Sequence, residues 1–144
     1  MPSPLLHTSR NHGLAALFAA TAAWLYLGAE TKAIVYRAII SAGIAGLFLG
    51  QSTLYLASKI RFDGWKSAAT TGVINGVLLH PLTWVVFVLW TRWAVLLDGG
   101  APAGTLLNDL YSALVWSLGS AMYGFLLTIP AMTVAAYLST RTQE

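Results

Sequence analysis

The residues with the clearest chemical potential lie in the third of four apolar runs along the chain. Asn75, His80 and Thr83 recur there at spacings that place them along one side of a helix of 3.6 residues per turn. His80 falls near the middle of the run, and an ionisable residue at that depth in a membrane helix indicates function by default. With Thr128 of the fourth run, these residues form a predicted intramembrane polar stripe.

Three interpretations of His80 follow from its chemistry. As a neutral side chain bonded to Asn75, Thr128 or another helix, it would be a packing element, and this interpretation is favoured. A proton or ion pathway is the second, because the unperturbed pKa of imidazole lies near neutrality. Metal or haem ligation is the third, but His7 and His12 are expected at or beyond the end of the first span. No metal site or defined cofactor is therefore predicted. A bound lipid is compatible with the sequence.

Acidic residues are missing from the middle of every apolar run. All five fall in loops, at interfaces or at the terminus: Glu30, Asp63, Asp98, Asp109 and Glu144. This argues against paired-carboxylate catalysis and against cation-coupled transport by a buried carboxylate. Cysteine is absent, which excludes disulfides, thiolate metal sites and thiol redox chemistry. The sequence therefore favours a role without catalysis.

The four apolar runs fill most of the 144-residue chain, at about 13–28, 33–57, 67–97 and 106–138. About 20 apolar residues of helix cross a bilayer core that is about 30 Å thick. Hydrophobic residues make up 57% of the chain and charged residues 9%, against about 25% charged in soluble domains. The sequence predicts an all-α integral membrane protein, with one domain over 1–144 and four transmembrane helices in a compact antiparallel bundle.

The distribution of Lys and Arg predicts the orientation of that bundle, because cytoplasmic loops are enriched in these residues. Five of the eight cations lie on the side that the two termini share: Arg10, Lys59, Arg61, Lys66 and Arg141. Both termini are therefore expected in the cytoplasm, although so small a bias leaves dual insertion open. The net charge of +3 is spread over both faces without a basic domain, so no nucleic-acid partner is predicted.

Basic and aromatic residues at the helix ends are predicted to lie among the lipid headgroups. This interfacial set comprises Lys59, Arg61, Trp65, Lys66, Trp90, Arg92 and Trp93. Arg92 is expected to extend outward beside the indoles of Trp90 and Trp93. The basic loop 58–66 is interpreted as a lipid-anchored connection, with a docking surface for a partner as the alternative.

Small residues at four-residue spacing are predicted to let the helix backbones approach closely in lipid. The predicted helix-packing positions are Ala42, Gly46, Gly50, Gly72, Gly76, Ser120 and Gly124. Pro81 and Pro130 are predicted to kink the third and fourth helices, since each removes a donor from the helical ladder. The same ridges permit packing within the chain and contact with other chains.

Two functional hypotheses remain. The favoured one is a small, non-catalytic, polytopic membrane subunit that packs within a larger membrane protein complex in an assembly, stabilising or accessory role. The alternative is a small homo-oligomeric transporter or channel with a polar pathway around Asn75 and His80. The expected partners are the lipid bilayer and either other membrane subunits or further copies of the chain. A bacterial inner membrane is the predicted location.

Overall fold

The fold is built entirely of helices in the computed structural model, which describes residues 4–26, 33–59 and 65–141. Four helices follow one another along the chain: α1 (Pro4–Tyr26), α2 (Ala33–Lys59), α3 (Trp65–Leu97) and α4 (Leu106–Arg141). Within those ranges there is no β-strand. The predicted all-α class is confirmed.

Three of the helices are long and apolar enough to cross a membrane, over Ile34–Thr53 in α2, Trp65–Leu97 in α3 and Leu106–Ser139 in α4. This is the composition expected of an integral membrane protein. Among the described helices, α1 does not reach the same apolarity. It begins at Pro4 rather than near residue 13, and its first turns carry polar residues such as Thr8 and His12.

The helices α1 and α2 pack against each other in antiparallel directions. Ser9 lies against Gly50, whereas Leu17, two turns further along α1, lies against Gly43. Residue numbers therefore rise along one helix as they fall along the other. Ala16 and Ala45 are fully buried, so small side chains fill much of this part of the core.

The helices α3 and α4 form a second antiparallel pair, and theirs is the most extensive contact in the bundle. Gly72 lies against Thr133, and Gly76 lies against Ile129. The two pairs close into a ring, because α1 also packs on α4 and α2 on α3, while the diagonal pairs barely touch. Each helix thus has two neighbours and one outward face.

The connection between α3 and α4 is fixed at both ends. Gly99 has a φ of 74°, a left-handed conformation that glycine adopts without strain at the end of a helix. At the start of α4, the hydroxyl of Thr105 accepts a hydrogen bond from the amide of Asn108 at 3.3 Å. Arg92 forms an ion pair with Asp109 across this hairpin. The guanidinium of Arg92 therefore contacts the neighbouring helix α4. The sequence predicted that this side chain extends outward and did not predict the ion pair.

Close backbone approach at Gly76 predicts a stability difference between two chemically identical substitutions. A Cβ at Gly76 would lie 2.8 Å from Cγ1 of Ile129 and 2.9 Å from its Cα, whereas a Cβ at Gly119 would meet nothing within 4 Å. We expect Gly76→Ala to lower the free energy of unfolding by about 1–3 kcal/mol through overpacking. Gly119→Ala should leave it unchanged or raise it slightly. Thermal unfolding in detergent measures both, and equal effects would contradict a tight α3–α4 crossing.

Candidate functional site

The predicted polar stripe divides between two clusters in the structure. Asn75 is fully buried and bonds to α2, whereas His80 bonds to α4. Five residues of helix turn through about 140° beyond a full turn, so the two side chains face different neighbours. No hydrogen bond joins Asn75 to His80 among the residues that the structure describes.

The first cluster links three helices through Asn75, Thr53 and His12. The amide nitrogen of Asn75 donates to the Thr53 hydroxyl at 2.6 Å. That hydroxyl lies 2.9 Å from Nε2 of His12, and Nδ1 of His12 lies 3.0 Å from the carbonyl oxygen of Thr8. These three side chains are at most 1% exposed. We call this series of bonds the Asn75–His12 chain.

The atom types give the Asn75–His12 chain a direction. The carbonyl of Thr8 can only accept, so Nδ1 of His12 carries the hydrogen. In a neutral ring Nε2 is then the acceptor, so the Thr53 hydroxyl donates to it in place of the Leu49 carbonyl, which lies 3.1 Å away. The oxygen of Thr53 remains free to accept from Asn75. Every member thus has a role that its chemistry allows, without a net charge.

His12 is the principal residue that sequence reasoning missed. The sequence places it at or beyond the end of the first span without a partner, and the structure shows that it is 0% exposed and hydrogen-bonded to α2. The glycines of α2 explain its position, since a Cβ at Gly46 would lie 2.5 Å from the His12 carbonyl oxygen. The four-residue spacing of Thr8, His12 and Ala16 was the available signal, because it places one side of α1 against this glycine ridge.

The second cluster surrounds His80 with hydroxyl groups of α4. Nδ1 of His80 lies 3.1 Å from Oγ of Ser120, and Nε2 lies 3.2 Å from Oγ1 of Thr128. The indole of Trp84 also donates to Ser120, at 3.0 Å. Gly124 provides the space between the two hydroxyls, because a Cβ there would collide with Cε1 of His80. We call these four polar residues, His80, Trp84, Ser120 and Thr128, the His80 cluster.

A neutral imidazole fits the His80 cluster. One ring nitrogen donates to a hydroxyl and the other accepts from one. The hydroxyls of Ser120 and Thr128 also lie 3.0 and 3.1 Å from the carbonyls of Ser117 and Gly124. The hydroxyl that donates to the imidazole therefore gives up its own backbone bond. This arrangement is typical of a histidine that ties two helices together.

An interhelical cavity of about 600 Å³ adjoins the His80 cluster and is lined by all four helices. The wall from α1 and α2 is rich in alanine, whereas the wall from α3 and α4 carries aromatic and polar groups. Thr83, the remaining member of the predicted stripe, lines this cavity; Asn75 does not. The cavity therefore combines an apolar interior with a few hydrogen-bonding groups, as small-molecule sites do.

Some buried polar atoms have no hydrogen-bond partner within the described ranges. They are the hydroxyls of Ser9, Ser41, Thr71 and Thr91 and the indole nitrogen of Trp24. The described residues also include no group of three or more His, Cys, Asp or Glu side chains that could hold a metal ion.

The predicted helix-packing positions lie at helix contacts or beside the cavity. Gly46 and Gly50 meet α1, and Gly72, Gly76 and Gly124 meet residues of the α3–α4 pair. Ala42 and Ser120 line the cavity. Pro81 and Pro130 lie inside α3 and α4, which continue past them.

The predicted interfacial residues lie near helix ends. Trp65 and Lys66 are exposed in the first turn of α3, while Trp90 is half-buried and Trp93 exposed in its last two turns. Lys59 is the last residue of α2. Arg61 and most of the basic loop around it lie outside the described residues.

Comparison with known proteins leaves the site to be interpreted from its own geometry. No family model, curated protein or solved structure matches the chain.

Removing the amide of Asn75 should weaken the bundle. Asn75→Leu keeps the approximate volume but leaves Thr53 without its donor, so we expect the free energy of unfolding to fall by about 1–2 kcal/mol. Thr70→Val is the control on the same helix, because the Thr70 hydroxyl bonds only the backbone of its own turn at Lys66. If denaturant unfolding gave the two variants equal free energies of unfolding, the Asn75–His12 chain would not stabilise the bundle.

The direction of the Asn75–His12 chain predicts the tautomer of His12. In protein labelled with ¹⁵N-histidine, Nδ1 of His12 should be protonated and Nε2 unprotonated at neutral pH. Thr53→Val should shift the Nε2 resonance and leave the signals of His7 unchanged. Protonation at Nε2 instead would contradict the assigned bond directions.

Proposed function

We propose that this chain is a small, non-catalytic, polytopic subunit that packs within a larger membrane protein complex. In this proposal all four helices cross the bilayer, both termini face the cytoplasm, and the membrane is a bacterial inner membrane. The observation that carries it is the engagement of the largest interior polar side chains, Asn75, His12 and His80, with other helices. Groups held in this way stabilise an assembly of helices rather than await a substrate.

The exposure pattern of α1 supports a fourth span. Its outward residues include Leu14, Phe18 and Leu25, each at least 59% exposed, whereas His12 and Thr8 face the interior. Apolar residues outside and bonded polar residues inside are the arrangement that lipid requires. At 23 residues, α1 is about 34 Å long, enough for the hydrocarbon core.

The outward face of α4 is the part of the bundle best suited to a protein partner. Only 28% of the most apolar stretch of α4 is buried, against 39% for those of α2 and α3. This face carries large apolar and aromatic side chains that are all at least 63% exposed: Leu107, Tyr111, Leu118, Met122, Tyr123 and Leu126. Gly119 lies among them with open space around it. A small residue flanked by aromatics lets a second helix approach closely.

The alternative, a transporter with a polar pathway around Asn75 and His80, receives less support. Asn75 and His80 belong to separate clusters that face different helices. The walls of the cavity beside His80 are mainly apolar. Passage of an ion or a hydrated solute would need a continuous row of polar groups between these two residues.

Native mass spectrometry of the tagged chain, extracted from its own membrane in mild detergent, tests the proposed subunit role. We expect foreign subunits at fixed stoichiometry. Gly119→Phe should remove them by blocking close helix approach, whereas Val77→Phe, on the exposed face of α3, should retain them. A clean homo-oligomer from the wild-type chain would refute the subunit role and favour the transporter.

A further inference from the structure

A second cavity lies on the outside of the bundle, where α1 and α4 meet. Its volume is about 550 Å³, and every residue that lines it belongs to one of these two helices. Leu14 and Phe18 of α1 and Val134 of α4 are each at least 57% exposed. Ala131 and Ala135 also line the cavity and are less exposed, so large side chains border a floor of smaller ones. We call this cavity the α1–α4 groove.

The length of the α1–α4 groove matches one leaflet of a bilayer. Along α4 the groove runs from Leu126 to Leu138, a helical rise of about 18 Å. The apolar span of α4 is Leu106–Ser139, so this stretch lies between the middle of the span and its carboxyl end. Half of a hydrocarbon core that is about 30 Å thick measures about 15 Å. One extended acyl chain of the leaflet on that side therefore has the length to lie along the groove.

The α1–α4 groove is apolar along its length and polar at one end. Asn11 is the one lining residue with a polar side chain. It marks the end near the membrane surface, because its amide donates to the hydroxyl of Ser139 at 3.4 Å, just past the last groove residue of α4. Phe18 and Leu126 line the part nearest the middle of the span. A molecule that fits must be apolar over most of its length and polar only at the membrane surface.

The polar end of the α1–α4 groove is positively charged. Arg10 precedes Asn11 and lies four residues before Leu14, on the same side of α1 and one turn nearer the membrane surface. Its side chain is exposed and forms no ion pair within the described ranges. The acidic side chains of those ranges, Asp98 and Asp109, lie at the opposite end of the bundle, in and beside the α3–α4 connection. The polar end of the groove therefore attracts a negatively charged group.

We propose that the α1–α4 groove binds one phospholipid, with an acyl chain along the groove and an anionic headgroup at Arg10. The length, the apolar lining and the basic end each complement a lipid of that leaflet. A partner helix suits the groove less well, because the large exposed side chains at its borders keep a second backbone at a distance. The inference rests on the proposed crossing of the bilayer by α1. It shares only Leu126 with the outward face of α4 proposed for a protein partner.

Photo-crosslinking of the full-length chain in vesicles tests the proposal without any substitution. The probe is phosphatidylglycerol with a diazirine in the middle of one acyl chain, as a minor component of phosphatidylcholine vesicles. We expect crosslinks to concentrate at groove residues such as Phe18 and Val134. Equal labelling of exposed residues on the other helices, such as Phe48 and Val73, would refute the groove as a site while leaving the four spans in place. Labelling of α2, α3 and α4 without α1 would instead contradict the crossing of the bilayer by α1.

Matched variants locate the lipid by native mass spectrometry in mild detergent. Ala131→Phe fills the groove, whereas Ala69→Phe makes the same change on α3, on the outward side that carries the exposed Trp65 and Val73. The first variant should lose the phosphatidylglycerol that the wild type retains, and the second should keep it. Retention by both variants would refute the assigned site. Loss of a foreign subunit rather than of lipid in Ala131→Phe would show that a protein occupies the groove, and this too would refute the proposal.

Charge variants test the headgroup contact. Arg10→Gln should weaken binding of phosphatidylglycerol about fivefold relative to phosphatidylcholine, which is the effect of one basic residue near a membrane surface. Lys66→Gln is the control, because it removes an exposed cation at the same end of the bundle that does not line the groove. This control should leave the preference between the two lipids unchanged. Equal losses in the two variants would indicate a general attraction to the membrane surface and would overturn the headgroup contact at Arg10.

Discussion

Hydrogen bonds between buried side chains of different helices fix the arrangement on which the rest of this structure depends. In lipid, burial of apolar surface does not draw helices together, so association relies on close contact and on polar groups that bond across. Asn75 and Thr53 join α3 to α2, and His12 extends the connection to α1. The His80 cluster then joins α3 to α4. These bonds therefore link the four helices in series, α1 to α2, α2 to α3 and α3 to α4.

The glycines of the bundle and its hydrogen bonds depend on one another. Gly46 lets α1 approach α2 closely enough for His12 to reach Thr53. Gly124 makes room for the imidazole of His80 between two hydroxyls of the same helix face. Several positions of α1 and α2 that face the interior carry alanine, and the interhelical cavity lies beside these alanines. Tight crossings and an open cavity thus arise from the same preference for small residues.

Local sequence patterns predicted α2, α3 and α4 well, because a long apolar run specifies a membrane helix without reference to its neighbours. The start of α1 and the role of His12 were not predicted, since His12 is stabilised by Thr53, which is distant in sequence. Helical periodicity placed Asn75 and His80 on one stripe. It could not show that Asn75 contacts α2 whereas His80 contacts α4. Partners across helices are the information that a single sequence lacks.

A double-mutant cycle between Thr53 and Asn75 measures most directly whether buried polar contacts hold the bundle together. The free energies of unfolding of Thr53→Val, Asn75→Leu and the double variant would be compared with that of the wild type. A coupling energy of about 1 kcal/mol is expected if the 2.6 Å bond between them stabilises the α2–α3 contact. Additive effects, within about 0.3 kcal/mol, would contradict that role.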